Sequence, residues 1–217
     1  MKPTTMSSLR QRHPVRTLVT TVTLAASAAA ALGALQGCVA VAGTAVVGGA
    51  MMATDRRSSG TQIDDQSIEM KAASRIHDSI ADRGNVSVTS YNRLVLVTGE
   101  VPTDADKAAV IKAIQGIENV GTVQDELLVG PSSSASTRTS DTLITSKVKT
   151  GMLEAKDLES NAIKVVTERG VVYLMGRVTE REATRATDIT RTTSGVLKVV
   201  RVFEIVTEAD LASIQNK

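Results

Sequence analysis

Cys38 is the only cysteine among the 217 residues of the chain. A single thiol cannot form an internal disulfide. Its role must come from redox chemistry, a metal, an intermolecular bond, packing or covalent modification. It stands in "ALQGCVAVAG", residues 34–43, at the end of a long apolar run. The residues before it therefore decide which chemistry is relevant.

The chain before Cys38 has the layout of a secretory signal. Four basic residues and no acidic residue precede the apolar stretch "LVTTVTLAASAAAALGALQG". Leu35, Gly37 and Cys38 resemble a bacterial lipobox, in which cleavage precedes a cysteine that is then acylated. We therefore predict a signal peptide over 1–37 and lipid attachment at Cys38, where two or more acyl chains would anchor stably. The alternatives are a buried cysteine and a membrane-spanning helix over 18–53.

The other polar residues do not form a catalytic or metal-binding pattern. After the predicted cleavage point the chain has one histidine, His77, and no free thiol, which leaves no material for a serine or cysteine triad or a zinc site. Acidic pairs such as Asp64 and Asp65 fit loops and first turns of helices. We predict that the protein is not an enzyme and has no cofactor, no metal and no catalytic residue.

Composition argues against a nucleic-acid partner. Cleavage before Cys38 would remove four of the 25 basic residues and none of the 23 acidic ones, leaving a net charge of about −2. The two tyrosines and one phenylalanine are too few to form a base-stacking platform.

The chain after the signal contains one pattern twice. "NVSVTSYNRLVLVTGEV" (85–101) and "NAIKVVTERGVVYLMGRV" (161–178) each read as a strand, a polar turn and a more apolar strand ending in x-Gly-x-Val. A polar helix and a strand beginning Val-x-x-Val follow each copy, and a further helix precedes each. Equivalent residues are 76 or 77 positions apart. The sequence predicts two tandem α-β-β-α-β units.

Local signals support the same reading. Thr103 and Thr179 are each followed three residues later by an acid, the pattern of a helix N-cap. Gly99 and Gly176 stand at equivalent strand ends, where glycine permits a bulge or a strained dihedral, so we predict a structural role for both.

These patterns divide the chain into segments. The predicted organisation is an α+β protein in which each unit has a small three-stranded sheet packed by two helices. The predicted segments are a signal peptide (1–37), an acylated tether (38–66), a first domain (67–130), a linker (131–140), a second domain (141–208) and a C-terminal tail (209–217).

The repeated unit resembles the BON domain. The whole mature chain is similar to dual-BON outer-membrane lipoproteins of the DolP family in Gram-negative bacteria, on the basis of "LQGCVA", "GTQIDDQSIE" and "YLMGRVTEREA". The resemblance implies a periplasmic protein held on the outer membrane, and Val39, which is not an inner-membrane retention aspartate, agrees with this. It also implies binding of anionic phospholipid through the first helix of the second domain and a role in envelope integrity.

The sequence of that helix is compatible with such a role. At 100° per residue, Ile144, Val148, Gly151 and Ala155 share one face, which we expect to be the core face. The outward side then carries Leu143, Ser146, Lys147, Lys149, Thr150 and Leu153. Leucine can enter the lipid boundary while lysine reaches toward phosphate. In the alternative interpretation the lysines are simply solvated and the leucines pack on the other domain.

Two functional hypotheses follow. The first is a non-enzymatic outer-membrane lipoprotein that binds anionic phospholipid. The second is a protein-interaction adaptor for an outer-membrane assembly machine or a cell-wall hydrolase regulator. Charge favours the second domain as the lipid-facing one, because residues 140–208 carry eleven basic and ten acidic side chains, against six and nine in residues 67–130.

Overall fold

The structure, a computed structural model, describes residues 55–215, which contain two successive units with the same order of elements. The first consists of α1 (Ser59–Ile80), β1 (Asn85–Tyr91), β2 (Leu94–Val101), α2 (Asp104–Gln115) and β3 (Thr122–Val129). The second consists of α3 (Ala135–Glu154), β4 (Ile163–Glu168), β5 (Val171–Val178), α4 (Glu180–Arg191) and β6 (Lys198–Ile205). The predicted α+β class with two α-β-β-α-β units is confirmed. Cys38 and the predicted signal peptide lie outside the described residues.

The first helix of each unit begins earlier than the apolar pattern predicted. α1 takes in the end of the predicted tether (38–66), and α3 takes in the second half of the predicted linker (131–140). The physical reason is a serine N-cap in both cases. The hydroxyls of Ser58 and Ser134 each accept a hydrogen bond of 3.1 Å from the backbone N–H three residues later. The polar composition that indicated a linker is therefore that of a helix start.

The C-terminal tail, predicted over 209–217, contains a further helix, α5 (Glu208–Gln215). Thr207 caps it, because its hydroxyl accepts a 3.1 Å hydrogen bond from the N–H of Asp210. Leu211 is buried, so the start of α5 packs on the rest of the protein.

Each sheet has its most apolar strand in the centre. In both units the strand order follows the sequence, with an antiparallel first pair and a parallel second pair. The parallel pair needs a crossover connection, which α2 provides in the first unit and α4 in the second. The central strands β2 and β5 are therefore flanked on both edges.

The tight turn of each hairpin is held by a buried aspartate from the preceding helix. Residues 92–93 and 169–170 have φ between 50° and 74°, as a type I′ turn requires. The Asp65 carboxylate accepts hydrogen bonds of 2.7 and 2.8 Å from the two N–H groups of the first turn. Asp141 accepts bonds of 2.9 and 2.8 Å from the second. The helices thus fix the hairpins on which they pack.

Each sheet buries one face against the helices of its own unit and the other face against the sheet of the other unit. One face of β2, with Val95 and Val97, packs on the helices of the first unit, and the equivalent face of β5 packs on those of the second. The opposite faces meet in a shared apolar cluster that includes Leu96 from β2 and Tyr173 and Met175 from β5. Side chains alternate along a strand, so this arrangement buries the central strands on both sides.

The short segment before α1 is fastened to the second unit. The Arg56 guanidinium, 5% exposed, forms two 2.8 Å hydrogen bonds with the two carboxylate oxygens of Glu182 in α4. It also donates a 2.8 Å bond to the backbone carbonyl of Arg177. A bidentate pair of this kind fixes geometry as well as charge. The chain therefore enters α1 from a defined position between the two units.

The two strand glycines lie where the neighbouring strand comes unusually close. Gly99 has φ of 113°, and a Cβ there would collide with the carbonyl oxygen of Asn85 in β1. At Gly176 a Cβ would collide with the carbonyl oxygen of Ala162. The absence of a side chain at these positions lets the strands approach.

Candidate membrane-binding face

Helix α3 has a continuous buried stripe. Ile144, Val148 and Met152 recur every four residues, and all three are buried in the core of the second unit. Gly151 is half-buried close to Ile189 of α4, since a Cβ added there would lie 3.1 Å from its side chain. This stripe fixes the rotation of the helix and therefore which residues face outward.

The outward side of α3 carries the six residues that the helical pattern placed there. All of them are exposed: Leu143, Ser146, Lys147, Lys149, Thr150 and Leu153. Leu143 is 57% exposed and Leu153 is 67% exposed, so neither packs into the interface between the two units. The alternative in which these leucines pack on the other domain therefore does not describe this arrangement.

The polar side chains of this face differ in whether the protein itself already binds their polar groups. Lys147 and Lys149 form no ion pair with any residue from 55 to 215. The hydroxyls of Ser146 and Thr150 each donate a 3.0 Å hydrogen bond to the carbonyl oxygen four residues earlier. The two ammonium groups are therefore the polar groups of this face that are free to meet an anion.

The corresponding helix of the first unit, α1, offers a different surface. Lys71 lies 3.8 Å from a carboxylate oxygen of Glu118, and Arg75 donates a 3.2 Å hydrogen bond to a carbonyl of α2. His77 is exposed, with an aspartate 3.8 Å away in the following loop. Lys71 and Arg75 of α1 thus contact the protein itself, whereas Lys147 and Lys149 of α3 form no ion pair with a described residue.

Two cations near the outward face of α3 were not singled out from the sequence. Lys164 comes from β4, and Arg57 comes from the segment before α1, where it lies 4.3 Å above the ring of Tyr91. Burial and the Asp55 carboxylate raise the pKa of Tyr91 to about 12, so its phenol stays protonated at neutral pH. No local pattern marks these residues, because only the folded chain brings three separate segments together.

Neither a membrane span nor a metal site emerges from residues 55–215. None of the helices in this range combines the length and the apolar composition needed to cross a bilayer. Within the same range no three histidine, cysteine or acidic side chains group in a way that could hold a metal ion.

Similarity to known proteins shows which family the chain belongs to. The BON-domain model matches residues 64–131 and again residues 140–207, one match for each unit. The outer membrane lipoprotein DolP of Haemophilus influenzae is 39% identical over 176 residues, which cover 78% of this chain and 89% of that protein. The chain belongs to the dual-BON DolP family. The predicted resemblance is thereby confirmed, and the protein is an outer-membrane lipoprotein of the BON type.

Two further proteins resemble this DolP-family chain. Osmotically-inducible protein Y of Escherichia coli is 32% identical over 145 residues, covering 64% of this chain and 72% of that protein. The 21 kDa hemolysin of Actinobacillus pleuropneumoniae is 29% identical over 154 residues, covering 70% and 79%. None of the three relatives has a name that denotes an enzyme.

Proposed function

We propose that this DolP-family chain is anchored by an acylated Cys38 at the periplasmic face of the outer membrane. There it would bind anionic phospholipid through the outward face of α3 and support envelope integrity. The lipobox-like "LQGC" after a basic and then apolar leader supports the anchor. The family of outer-membrane lipoproteins supports the location.

One observation carries the lipid proposal. The outward face of α3 combines two leucines that are more than half exposed with two lysines outside any ion pair among the described residues. Exposed apolar side chains next to cations are typical of helices that lie in a membrane interface, where the apolar group enters the lipid and the ammonium contacts phosphate. α1 also exposes apolar side chains, but its Lys71 and Arg75 already contact Glu118 and a carbonyl of α2.

The expected strength of this contact is modest. Burial of apolar surface contributes about 25 cal/mol per Å². Each lysine near an anionic surface adds about 1 kcal/mol. Two leucines and two lysines thus supply a few kcal/mol, roughly enough for reversible binding. An acylated Cys38 would hold the face close to the membrane and raise its effective concentration.

Vesicle flotation of residues 51–217 tests the proposal. This range forms one compact unit that includes both cores and the contacts between them, so it is complete without the anchor. We expect it to float with phosphatidylglycerol vesicles and not with phosphatidylcholine vesicles. High salt should weaken binding, since salt screens exposed charges. Equal flotation with both vesicles, or with neither, would contradict the lipid proposal.

The second candidate is an adaptor that binds another envelope protein. Two exposed apolar residues of α1 support this candidate. Ile63 and Met70 are 68% and 69% exposed and lie seven residues apart on one side of the helix. An assembly or cell-wall protein could contact this apolar pair. Binding of a purified envelope protein in the absence of lipid, lost in Met70→Asp, would favour the adaptor.

A further inference from the structure

We propose that the cavity beside the C-terminal half of α3 binds the phosphate group of an anionic lipid headgroup. This inference rests on the proposed function and adds a defined pocket to it. The cavity has a volume of about 360 Å³ and lies where the segment before α1, the first hairpin and the second unit meet. Ligand pockets in proteins typically begin at about 300 Å³.

Two lysines line the cavity, and Lys149 is the one whose charge no described carboxylate compensates. Lys164 is held in place, because its ammonium group lies 2.9 Å from a carboxylate oxygen of Glu69 and 3.4 Å from the carbonyl oxygen of Ser90. An ammonium group has three N–H donors, so one is left for a ligand. Lys149 lines the same cavity and forms no ion pair with any described residue. A phosphate bound in the cavity would compensate the charge of Lys149 and accept the remaining hydrogen bond of Lys164.

The third cation of the cavity is already neutralised. Arg57 forms hydrogen bonds with Asp55 of 2.7 to 3.3 Å and a 2.8 Å hydrogen bond with Asp65. It therefore acts as part of the wall rather than as a phosphate ligand. Its two carboxylate partners also account for the negative charge on this side, so Lys149 is the cation that a bound anion would compensate.

The remaining lining suits an amphiphile rather than a free anion. Ser160 and Asn161 line the cavity, and neither side chain forms a hydrogen bond with another described residue, so both are available to a headgroup. Met152 and Ile163 form an apolar wall that continues to Leu153, which is 67% exposed. A lipid with its phosphate at Lys149 and its acyl chains along Leu153 would satisfy the polar and the apolar parts of this lining together.

A pair of matched lysine variants separates this pocket from general charge attraction. Lys147 and Lys149 are both exposed, but they stand about 200° apart around α3, at opposite edges of its outward side, and only Lys149 lines the cavity. In residues 51–217, Lys147→Gln should weaken binding to phosphatidylglycerol vesicles by about fivefold, the loss expected for one surface lysine, and Lys149→Gln by about 20-fold or more, because it also removes a hydrogen bond to the phosphate. Both side chains are exposed, so neither change should alter the melting temperature.

A soluble probe tests the cavity without a membrane. We expect sn-glycerol 3-phosphate to cause saturable NMR shifts in the backbone amides of Ser160 and Asn161, and Lys149→Gln to abolish them. Equal losses of vesicle binding in the two lysine variants would overturn the proposal, as would the absence of shifts. Shifts without any difference between the lysine variants in flotation would assign the cavity to a soluble phosphate compound and overturn the lipid assignment. Failure of the wild-type protein to float would instead contradict the proposed function itself.

Discussion

The carboxyl groups of Glu100 and Glu168 lie close to each other where the two units meet. Glu100 of β2 has no exposed surface, and it accepts a 3.1 Å hydrogen bond from the N–H of Ser133 and a 3.1 Å hydrogen bond from the side chain of Arg169. Its charge is therefore compensated. Glu168 of β4 lies nearby with a buried carboxylate oxygen that has no partner among the described residues. Burial, together with the charges of Glu100 and Asp141, raises the pKa of Glu168 to about 7.

The first prediction concerns the pH dependence that follows. Because the pKa of Glu168 is higher in the folded protein than in the unfolded chain, ionisation disfavours folding. The stability that the neutral Glu168 carboxyl group provides is fully present below the pKa of a glutamate in the unfolded chain. It is lost as the pH rises through about 7. Glu168→Gln should therefore raise the free energy of unfolding by about 1–3 kcal/mol at pH 8 and change it little at pH 5. Thermal melting at the two pH values measures this. Glu154→Gln, at an exposed site, serves as the control, and an equal effect of Glu168→Gln at both pH values would contradict the argument.

The second prediction concerns the strand glycines. Gly99→Val and Gly176→Val should each destabilise their unit by about 2–4 kcal/mol, because the new Cβ meets a backbone carbonyl oxygen that cannot move away without breaking the strand pair. Chemical denaturation followed by circular dichroism measures the loss. Gly60→Val is the control, since its Cβ would meet nothing closer than 3.9 Å. Unfolding curves of the strand variants that coincide with wild type would show that these glycines have no special backbone role.

At the scale of elements, the order and type of the helices and strands could be predicted because the sequence repeats. The packing of the two sheets on each other was not predicted. The near-continuous apolar runs "LVLV" and "VVYLM" are the signal for it, since strands buried on both faces lose the alternation of polar and apolar residues.

The turn-anchoring role of Asp65 and Asp141 was also missed, although the two residues are 76 positions apart and therefore equivalent in the repeat. Helix periodicity located the outward face of α3, but Arg57 and Lys164 join it through tertiary contacts that no local pattern records.

The third prediction concerns α3 as an element. Leu143→Asp combined with Leu153→Asp should abolish binding to phosphatidylglycerol vesicles, because it replaces apolar surface with charges that anionic lipid repels. Both leucines are more than half exposed, so the melting temperature should stay within a few degrees of wild type. Flotation and thermal melting of the same sample give both results.

The neighbouring core residue provides the control for this prediction. Ile144 is 7% exposed, so Ile144→Asp should unfold the second unit by burying an unpaired charge. If the double leucine variant unfolds in the same way, the outward face is assigned wrongly. If it stays folded and binds vesicles as well as wild type does, the face is not the lipid site.

At the scale of the whole molecule, the anchor and the folded unit are expected to act together. The fourth prediction is that Cys38→Ser blocks maturation, since the lipobox-like segment then lacks the thiol that is acylated before cleavage. The precursor should accumulate at its full length and fail to fractionate with the outer membrane. Immunoblotting of membrane fractions measures this. Normal processing and normal outer-membrane fractionation of the variant would show that Cys38 is not the anchor.

The most direct test is the depth at which each unit meets the membrane in the full acylated protein. Ser146→Cys and Ser74→Cys place one free thiol on the exposed side of α3 or of α1, and each can carry the same fluorophore. In phosphatidylglycerol vesicles that contain brominated acyl chains, we expect strong quenching of the probe at position 146 and little at position 74, because only the face of α3 lies in the interface. Equal quenching at the two positions, or stronger quenching at position 74, would contradict binding through the second unit.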